Sequence, residues 1–122
     1  STDSLVTLKA NDIVSFISTS ISGKKRILSE ETAEKLGKMM RNNVTYGYGE
    51  NNYKGLELCA KTGTAEVGGG KAPHAWFAGF MDREDCPLAF VVVIENGGSG
   101  SKAAGPVANK VLQSGVKRQG DV

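Results

Sequence analysis

Three apolar segments of strand length, placed close together in the second half of the chain, constrain the fold most. They span residues 58–66, 75–81 and 88–95, and only residues 67–74 and 82–87 lie between them. A parallel pair of strands needs a crossover of a dozen or more residues, whereas antiparallel strands can be joined by a short turn. The spacing therefore predicts a three-stranded antiparallel meander.

One helix is predicted on each side of this meander. Ser29 is a typical N-cap, and Glu30 and Glu31 would lie in the first turn, where the helix dipole favours acids. The first helix is expected over residues 30–42, with these apolar residues at helical spacing: Ala33, Leu36, Met39 and Met40. The second should pack on the sheet, with Pro106 in its first turn and these apolar positions: Ala104, Val107, Ala108, Val111 and Leu112.

The remaining segments carry weaker signals. Residues 44–55 are rich in Tyr, Gly and Asn and predict a loop. Residues 1–20 suggest extended, irregular chain. The predicted fold class is therefore α/β (α+β): three antiparallel strands with one preceding and one C-terminal helix. Residues 1–122 are interpreted as one domain or part of one.

Composition excludes several kinds of partner. The formal charge is +2, from 15 basic and 13 acidic residues, and the basic residues form no continuous face of the kind that binds nucleic acid. The longest apolar run, residues 88–94, is far shorter than a membrane span. Cys59, Cys86 and the single histidine, His74, lack the spacing of a metal site, so no metal or cofactor is expected. A disulfide between the two cysteines stays open.

The residues best suited to bind a ligand are Lys61-Thr62-Gly63-Thr64, within the first predicted strand. Such polarity on an inner strand indicates contact with solvent or a ligand. The tetrapeptide offers a cation, hydroxyls that can reach a carboxylate, and a position without a side chain where a substrate backbone can lie close. This combination suits an acyl-D-amino-acid carboxylate. The alternative without a binding function is a solvated edge strand, on which threonine and lysine are common.

The sequence around this tetrapeptide favours the interpretation as a ligand-binding strand over that as a solvated edge strand. The relevant segments are Cys59-Ala60-Lys61-Thr62-Gly63-Thr64-Ala65-Glu66, His74-Ala75-Trp76-Phe77-Ala78-Gly79-Phe80 and Phe90-Val91-Val92-Val93-Ile94-Glu95-Asn96-Gly97, with the helical regions 28–40 and 103–112 outside them. In order and spacing they resemble the C-terminal part of the transpeptidase domain of class B penicillin-binding proteins, whose third motif is K-T-G. The resemblance implies part of the β-lactamase/transpeptidase-like fold, with the motif strand at the sheet edge along the cleft.

The resemblance also implies a role for each motif residue. Lys61 would add positive potential beside the nucleophilic serine. Thr62 and Thr64 would hydrogen-bond the carboxylate of the substrate or of a β-lactam. The backbone N–H of Thr64 would be one oxyanion-hole donor, and Gly63 would keep the strand surface open.

The implied reaction is acyl transfer between peptidoglycan stem peptides ending in D-Ala-D-Ala, on the extracytoplasmic face of the bacterial membrane. The nucleophile, and any membrane anchor, are expected upstream of Ser1, so this chain alone should be inactive. Self-association or a companion chain is expected at the exposed sheet edge. A serine β-lactamase, a β-lactam sensor domain and a non-enzymatic interaction module stay as alternatives.

Other candidate residues are weaker. Ser22 and Lys25 satisfy the S-x-x-K spacing, but they stand in a Gly-Lys-Lys-Arg turn rather than at the start of a buried helix. The glycine-rich stretch at residues 68–70 lacks the residues of a phosphate-binding Walker loop. His74 is interpreted as structural, and Cys59 as a small buried hydrophobe.

Overall fold

A computed structural model describes residues 27–120, with side chains through residue 118. Its regular elements are α1 (Glu30–Asn42), β1 (Leu58–Ala65), β2 (His74–Met81), β3 (Ala89–Ile94) and α2 (Gly105–Gly120). The interpretations of residues 1–20 and of Ser22 lie outside the described residues. No helix in the described range is long and apolar enough to cross a membrane.

The three strands form one antiparallel sheet in the order β1-β2-β3. Lys61 is paired with Ala78, and Gly63 with Trp76, so the motif occupies the fourth to seventh of the eight residues of β1. Because β2 is central, β1 is an edge strand of this sheet. The predicted fold class, a meander with one helix before it and one after, is confirmed.

Helix α1 begins where its capping residues predict. The Ser29 hydroxyl accepts a hydrogen bond from the backbone N–H of Thr32 at 3.2 Å, and Lys35 pairs with Glu31 one turn earlier at 2.7 Å. The helix lies beside β1, although none of its own residues is buried. Local signals rather than burial therefore define this helix within the described part of the chain.

The loop predicted for residues 44–55 is wrong. The chain continues from α1 through a wide helical turn, Asn43–Gly49, and a tight one, Glu50–Tyr53. Val44 and Tyr53 are buried, and their burial stabilises helical backbone that the local Gly and Asn content disfavours. Tertiary contact thus overrides local propensity here.

The core lies on one face of the sheet. Phe77, fully buried at the centre of β2, packs against the rings of Tyr48, Tyr53 and Phe90 at centroid distances of 5.5–5.6 Å. Helix α2 covers the same face with the buried residues Ala108 and Leu112, and the helical turn before it, Gly100–Ala104, adds the buried Ala104. The predicted packing of this helix on the sheet is confirmed.

The opposite face of the sheet is only partly covered by the described residues. Trp76 and Val93, which are cross-strand neighbours, are 40% and 39% exposed, and Val91 is 64% exposed. Lys61 and Gly63 belong to this face by the alternation along β1. The motif strand therefore contributes to two surfaces: an exposed face and an edge.

Candidate functional site

The outer edge of β1 is closed by side chains over its first half. Arg41 and Asn43, at the end of α1, donate to the carbonyl oxygens of Leu58 and Ala60, each at 3.0 Å. An edge strand presents unpaired backbone groups at every second residue. These two bonds satisfy the first two carbonyl groups and leave no room for another strand there.

Tyr48 closes the edge at the motif itself. The backbone N–H of Thr62 donates to the Tyr48 hydroxyl at 3.0 Å, and the hydroxyls of the two residues lie 3.2 Å apart. The ammonium group of Lys61 folds back to the Thr62 carbonyl oxygen at 2.6 Å. Thr62 is thus bonded through its amide, its carbonyl and its hydroxyl.

The side-chain bonds along this edge stop before Thr64 within residues 27–120. The carbonyl of Glu57 is bonded toward the β2 side, to the N–H of Asp82, whereas Leu58, Ala60 and Thr62 are bonded on the outer side. By the same alternation the backbone N–H of Thr64 points outward. The short part of the edge beyond Thr62 therefore presents a backbone donor to which no described side chain is bonded.

Gly63 leaves space on the exposed face of β1. A Cβ atom built on Gly63 would stand 3.1 Å from the Cβ of Trp76, tighter than ordinary contact. A larger residue there would press on Trp76 and cover the surface next to Lys61. The exposed Lys61 side chain and the bare Gly63 backbone together form an accessible, positively charged strip.

The loop before α2 supports the motif from the core side. A Cβ on Gly100 would lie 2.5 Å from the carbonyl oxygen of Trp76 and 3.0 Å from the Cβ of Thr62. Only glycine fits this close approach. Beside it, a cavity of about 450 Å³ is lined by Gly47, Tyr48, Asn52, Tyr53, Ser101, Lys102, Pro106, Asn109 and Lys110. Gly100 thus packs closely against Thr62, and Tyr48 borders the cavity.

His74 and Cys59 have surroundings that fit structural roles. The His74 imidazole accepts the backbone N–H of Asn96 through Nδ1 at 3.0 Å, which connects β2 to the turn after β3. Cys59 is buried, and desolvation raises the pKa of its thiol, which disfavours the reactive thiolate. The described residues contain no group of His, Cys, Asp and Glu that could hold a metal ion.

This arrangement can bind an anion alongside a strand. It combines a flexible ammonium group, threonine hydroxyls and an outward backbone N–H on a rigid edge, which are the donors that recognise carboxylates and developing oxyanions. The sequence predicted Lys61 to Thr64 as candidate site residues and gave no indication of Tyr48, Asn43 and Arg41, which the structure places at the same edge. Tyr48 precedes Thr62 by 14 residues, and no local spacing indicates that they meet.

Comparison with known families identifies a matching domain. The model of the penicillin binding protein transpeptidase domain matches residues 9–113. Among curated proteins, the peptidoglycan D,D-transpeptidase PbpA of Mycobacterium tuberculosis strain H37Rv is 27% identical over 118 residues. The PbpA of Mycolicibacterium smegmatis is 28% identical over 120 residues. Each alignment covers 90% of this chain and 24% of the relative, so the chain spans about a quarter of the length of these relatives.

Solved structures agree with the sequence comparison. The imipenem acyl-enzyme complex of penicillin-binding protein A from M. tuberculosis superposes with a TM-score of 0.63 at 30% identity, over 76% of this chain and 21% of that one. The D,D-transpeptidase domain of a peptidoglycan glycosyltransferase from Eggerthella lenta gives a TM-score of 0.67 at 30% identity, over 86% and 25%.

Proposed function

Because the chain belongs to the family of penicillin-binding protein transpeptidase domains, we propose that it supplies the substrate-binding strand of a serine D,D-transpeptidase. The resemblance to the C-terminal part of a class B transpeptidase domain, predicted from the motif and its flanks, is confirmed. Our proposal goes further and assigns residue roles, substrate and reaction. It treats residues 1–122 as the C-terminal portion of that domain.

The observation that carries the proposal is the change in the β1 edge at Thr62. Up to that residue the edge is occupied by Arg41, Asn43 and Tyr48, and beyond it the N–H of Thr64 faces outward. A peptide that adds to a sheet edge needs such unpaired groups. The end of β1 thus provides a place for a stem peptide that the start of β1 does not.

Each motif residue then has a role. Lys61 places its charge beside the reacting centre, and Thr62 and Thr64 bind the carboxylate of D-Ala-D-Ala or of a β-lactam. The N–H of Thr64 stabilises the oxyanion of the tetrahedral intermediate, a contribution typically worth about a hundredfold or more in rate. Gly63 lets the peptide backbone lie flat against the strand.

The proposed reaction is acyl transfer in two steps. A serine hydroxyl from the rest of the protein attacks the carbonyl carbon of the penultimate D-Ala, and the terminal D-alanine leaves with the proton. An amine of a second stem peptide then attacks the ester and releases the serine. A β-lactam opens its ring in the first step and keeps the serine acylated. We place this activity outside the cytoplasm, where peptidoglycan lies.

The first test is covalent labelling with a fluorescent penicillin. The 122-residue chain and the full-length protein that contains it are incubated with the probe, denatured and separated by electrophoresis. We expect a label on the full-length protein only. Label on the isolated chain would place the nucleophile inside it, with Ser22 as the candidate. Absence of label on both would favour the non-enzymatic interaction module.

The second test compares two lysines in the full-length protein. Lys61→Ala should slow acylation by on the order of a hundredfold, a loss comparable to that of one oxyanion-hole donor. Lys71→Ala is the matched control, since Lys71 is exposed in the loop between β1 and β2. Equal acylation rates in Lys61→Ala and Lys71→Ala would show that Lys61 has no role in acylation.

A further inference from the structure

We propose that Tyr48 is a positioning residue that fixes the direction of the Thr62 hydroxyl, so that this hydroxyl donates its hydrogen to the carboxylate of a bound ligand. The inference rests on the proposed function, because it deepens the carboxylate site on β1. It assigns a role to a side chain outside the Lys-Thr-Gly-Thr motif.

The two hydroxyls have a limited capacity to donate hydrogen bonds. The Tyr48 oxygen accepts the backbone N–H of Thr62 at 3.0 Å, and the Tyr48 O–H can donate only once. The Thr62 oxygen, 3.2 Å away, is an acceptor within reach of that hydrogen. When Tyr48 donates to the Thr62 oxygen, the hydrogen of the Thr62 hydroxyl cannot point toward Tyr48. It is then available to donate to another acceptor.

An anion selects this orientation. A carboxylate has only acceptors, so Thr62 can bind it through its hydroxyl only as a donor. The chain Tyr48 O–H to Thr62 O–H to carboxylate then runs in one direction, and each bond polarises the next. With the opposite orientation, in which Thr62 donates to Tyr48, no hydrogen would be left for the ligand.

Tyr48 is held firmly enough to act in this way. Its ring packs edge-on against Phe77, with centroids 5.5 Å apart and an interplanar angle of 78°. Its carbonyl oxygen accepts a hydrogen bond from the Asn52 side chain at 2.8 Å. Because Phe77 stands next to Thr62 in the register of β1 and β2, the tyrosine ring and the motif strand share one rigid support.

The deciding experiment uses Tyr48→Phe in the full-length protein, which keeps the ring on Phe77 and removes the hydroxyl. Second-order acylation rate constants are measured for benzylpenicillin and for its methyl ester, which lacks the carboxylate. The matched control is Tyr46→Phe, since Tyr46 is 84% exposed. We expect Tyr48→Phe to lower the rate constant for benzylpenicillin about tenfold, with that for the ester unchanged. Tyr46→Phe should change neither.

A double-mutant cycle separates positioning from packing. In a Thr62→Val background, Tyr48→Phe should have a smaller effect on benzylpenicillin than in wild type, because the hydroxyl that Tyr48 orients is gone and only its bond to the backbone N–H of residue 62 is lost. Three results would each overturn the role of Tyr48. They are additive losses of the acylation rate constant in the double variant, an equal loss for benzylpenicillin and its ester, and no loss in Tyr48→Phe. A wild-type protein that reacts with neither compound would instead overturn the proposed function itself. Thermal unfolding shows that all variants are folded, and the two that carry Tyr48→Phe should unfold at a somewhat lower temperature, because the N–H of residue 62 loses its acceptor.

Discussion

The guanidinium of Arg41 binds both carboxylate oxygens of Glu50, at 2.7 and 2.8 Å. The same guanidinium donates to the carbonyl oxygen of Leu58 at 3.0 Å. One side chain therefore connects the end of α1, the turn that follows it and the first residue of the motif strand. Because bidentate pairing fixes the plane of the guanidinium, Glu50 orients the contact that closes the edge of β1.

The first prediction concerns the pH dependence of this pair. The hydrogen bond from Arg41 lowers the pKa of the Glu50 carboxyl. Its contribution to stability is therefore present above the ordinary glutamate pKa and is lost as pH falls through the lowered value. The side chains of Arg41 and Glu50 are 30% and 40% exposed, so screening by solvent limits the contribution to about 1 kcal/mol or less.

The variant that tests the pair is Glu50→Gln, compared with Glu34→Gln on the exposed surface of α1. Urea unfolding should show Glu50→Gln less stable than wild type at pH 7, with the difference shrinking in acid, where Glu50 of the wild type is protonated. Glu34→Gln should match wild type at neutral pH. A Glu50→Gln difference of the same size at both pH values would contradict the assignment.

The second prediction concerns the close approach of β2 to β1 at Gly79. A Cβ on Gly79 would overlap the carbonyl oxygen of Cys59 and stand 2.8 Å from the Cα of Ala60. These are backbone atoms, so the overlap can be relieved only by moving the motif strand. We expect Gly79→Ala to lower the free energy of unfolding by roughly 1–3 kcal/mol, measured by urea titration.

Gly47→Ala is the control for that measurement. A Cβ at Gly47 would have no neighbour within 4 Å, and the added methyl group restricts the unfolded chain, so stability should stay the same or rise by up to about 1 kcal/mol. If the two variants unfold at the same urea concentration, the contact at Gly79 is not a determinant of the strand's position.

The elements with strong local signals were predictable from sequence. Ser29, Glu30 and Glu31 define the start of α1, and the predicted range 30–42 agrees with the structure. The strands were predicted to within about a residue because alternation and short connections leave little freedom. The loop predicted for residues 44–55 was wrong, since the burial of Val44 and Tyr53 that stabilises the helical turns depends on partners distant in sequence.

The candidate site also has a part that the sequence predicts and a part that it does not. The Lys61 to Thr64 tetrapeptide can be recognised in the sequence because its polar residues are adjacent in the chain. The side chains that close the edge of β1 cannot be recognised in this way, because Arg41, Asn43 and Tyr48 reach the strand only through the helical turns that follow α1. A tyrosine in a Gly-rich stretch predicts a turn, and nothing local distinguishes a tyrosine that bonds Thr62 from the exposed Tyr46.

The third prediction concerns the two cysteines. Cys59 and Cys86 are buried thiols, each 1% exposed, and burial raises the pKa of both. Both should therefore react slowly with iodoacetamide at pH 7.5 in the folded protein and rapidly in urea. Mass spectrometry of the labelled protein would report the difference. Rapid labelling of Cys59 in the folded protein would instead make it a candidate reactive group.

The last prediction concerns the far edge of the sheet. Among residues 27–120, β3 has a strand neighbour on one side only, and it exposes Val91 and Val93 beside Trp76. An apolar edge strand of this kind pairs with other chains, so the 122-residue chain should form dimers or larger species, measured by size exclusion with light scattering. Val91→Lys should shift it toward monomer, because lysine on an edge opposes pairing. Val107→Lys, on the exposed side of α2, should not. A wild-type chain that stays monomeric at high concentration would show that this edge does not associate.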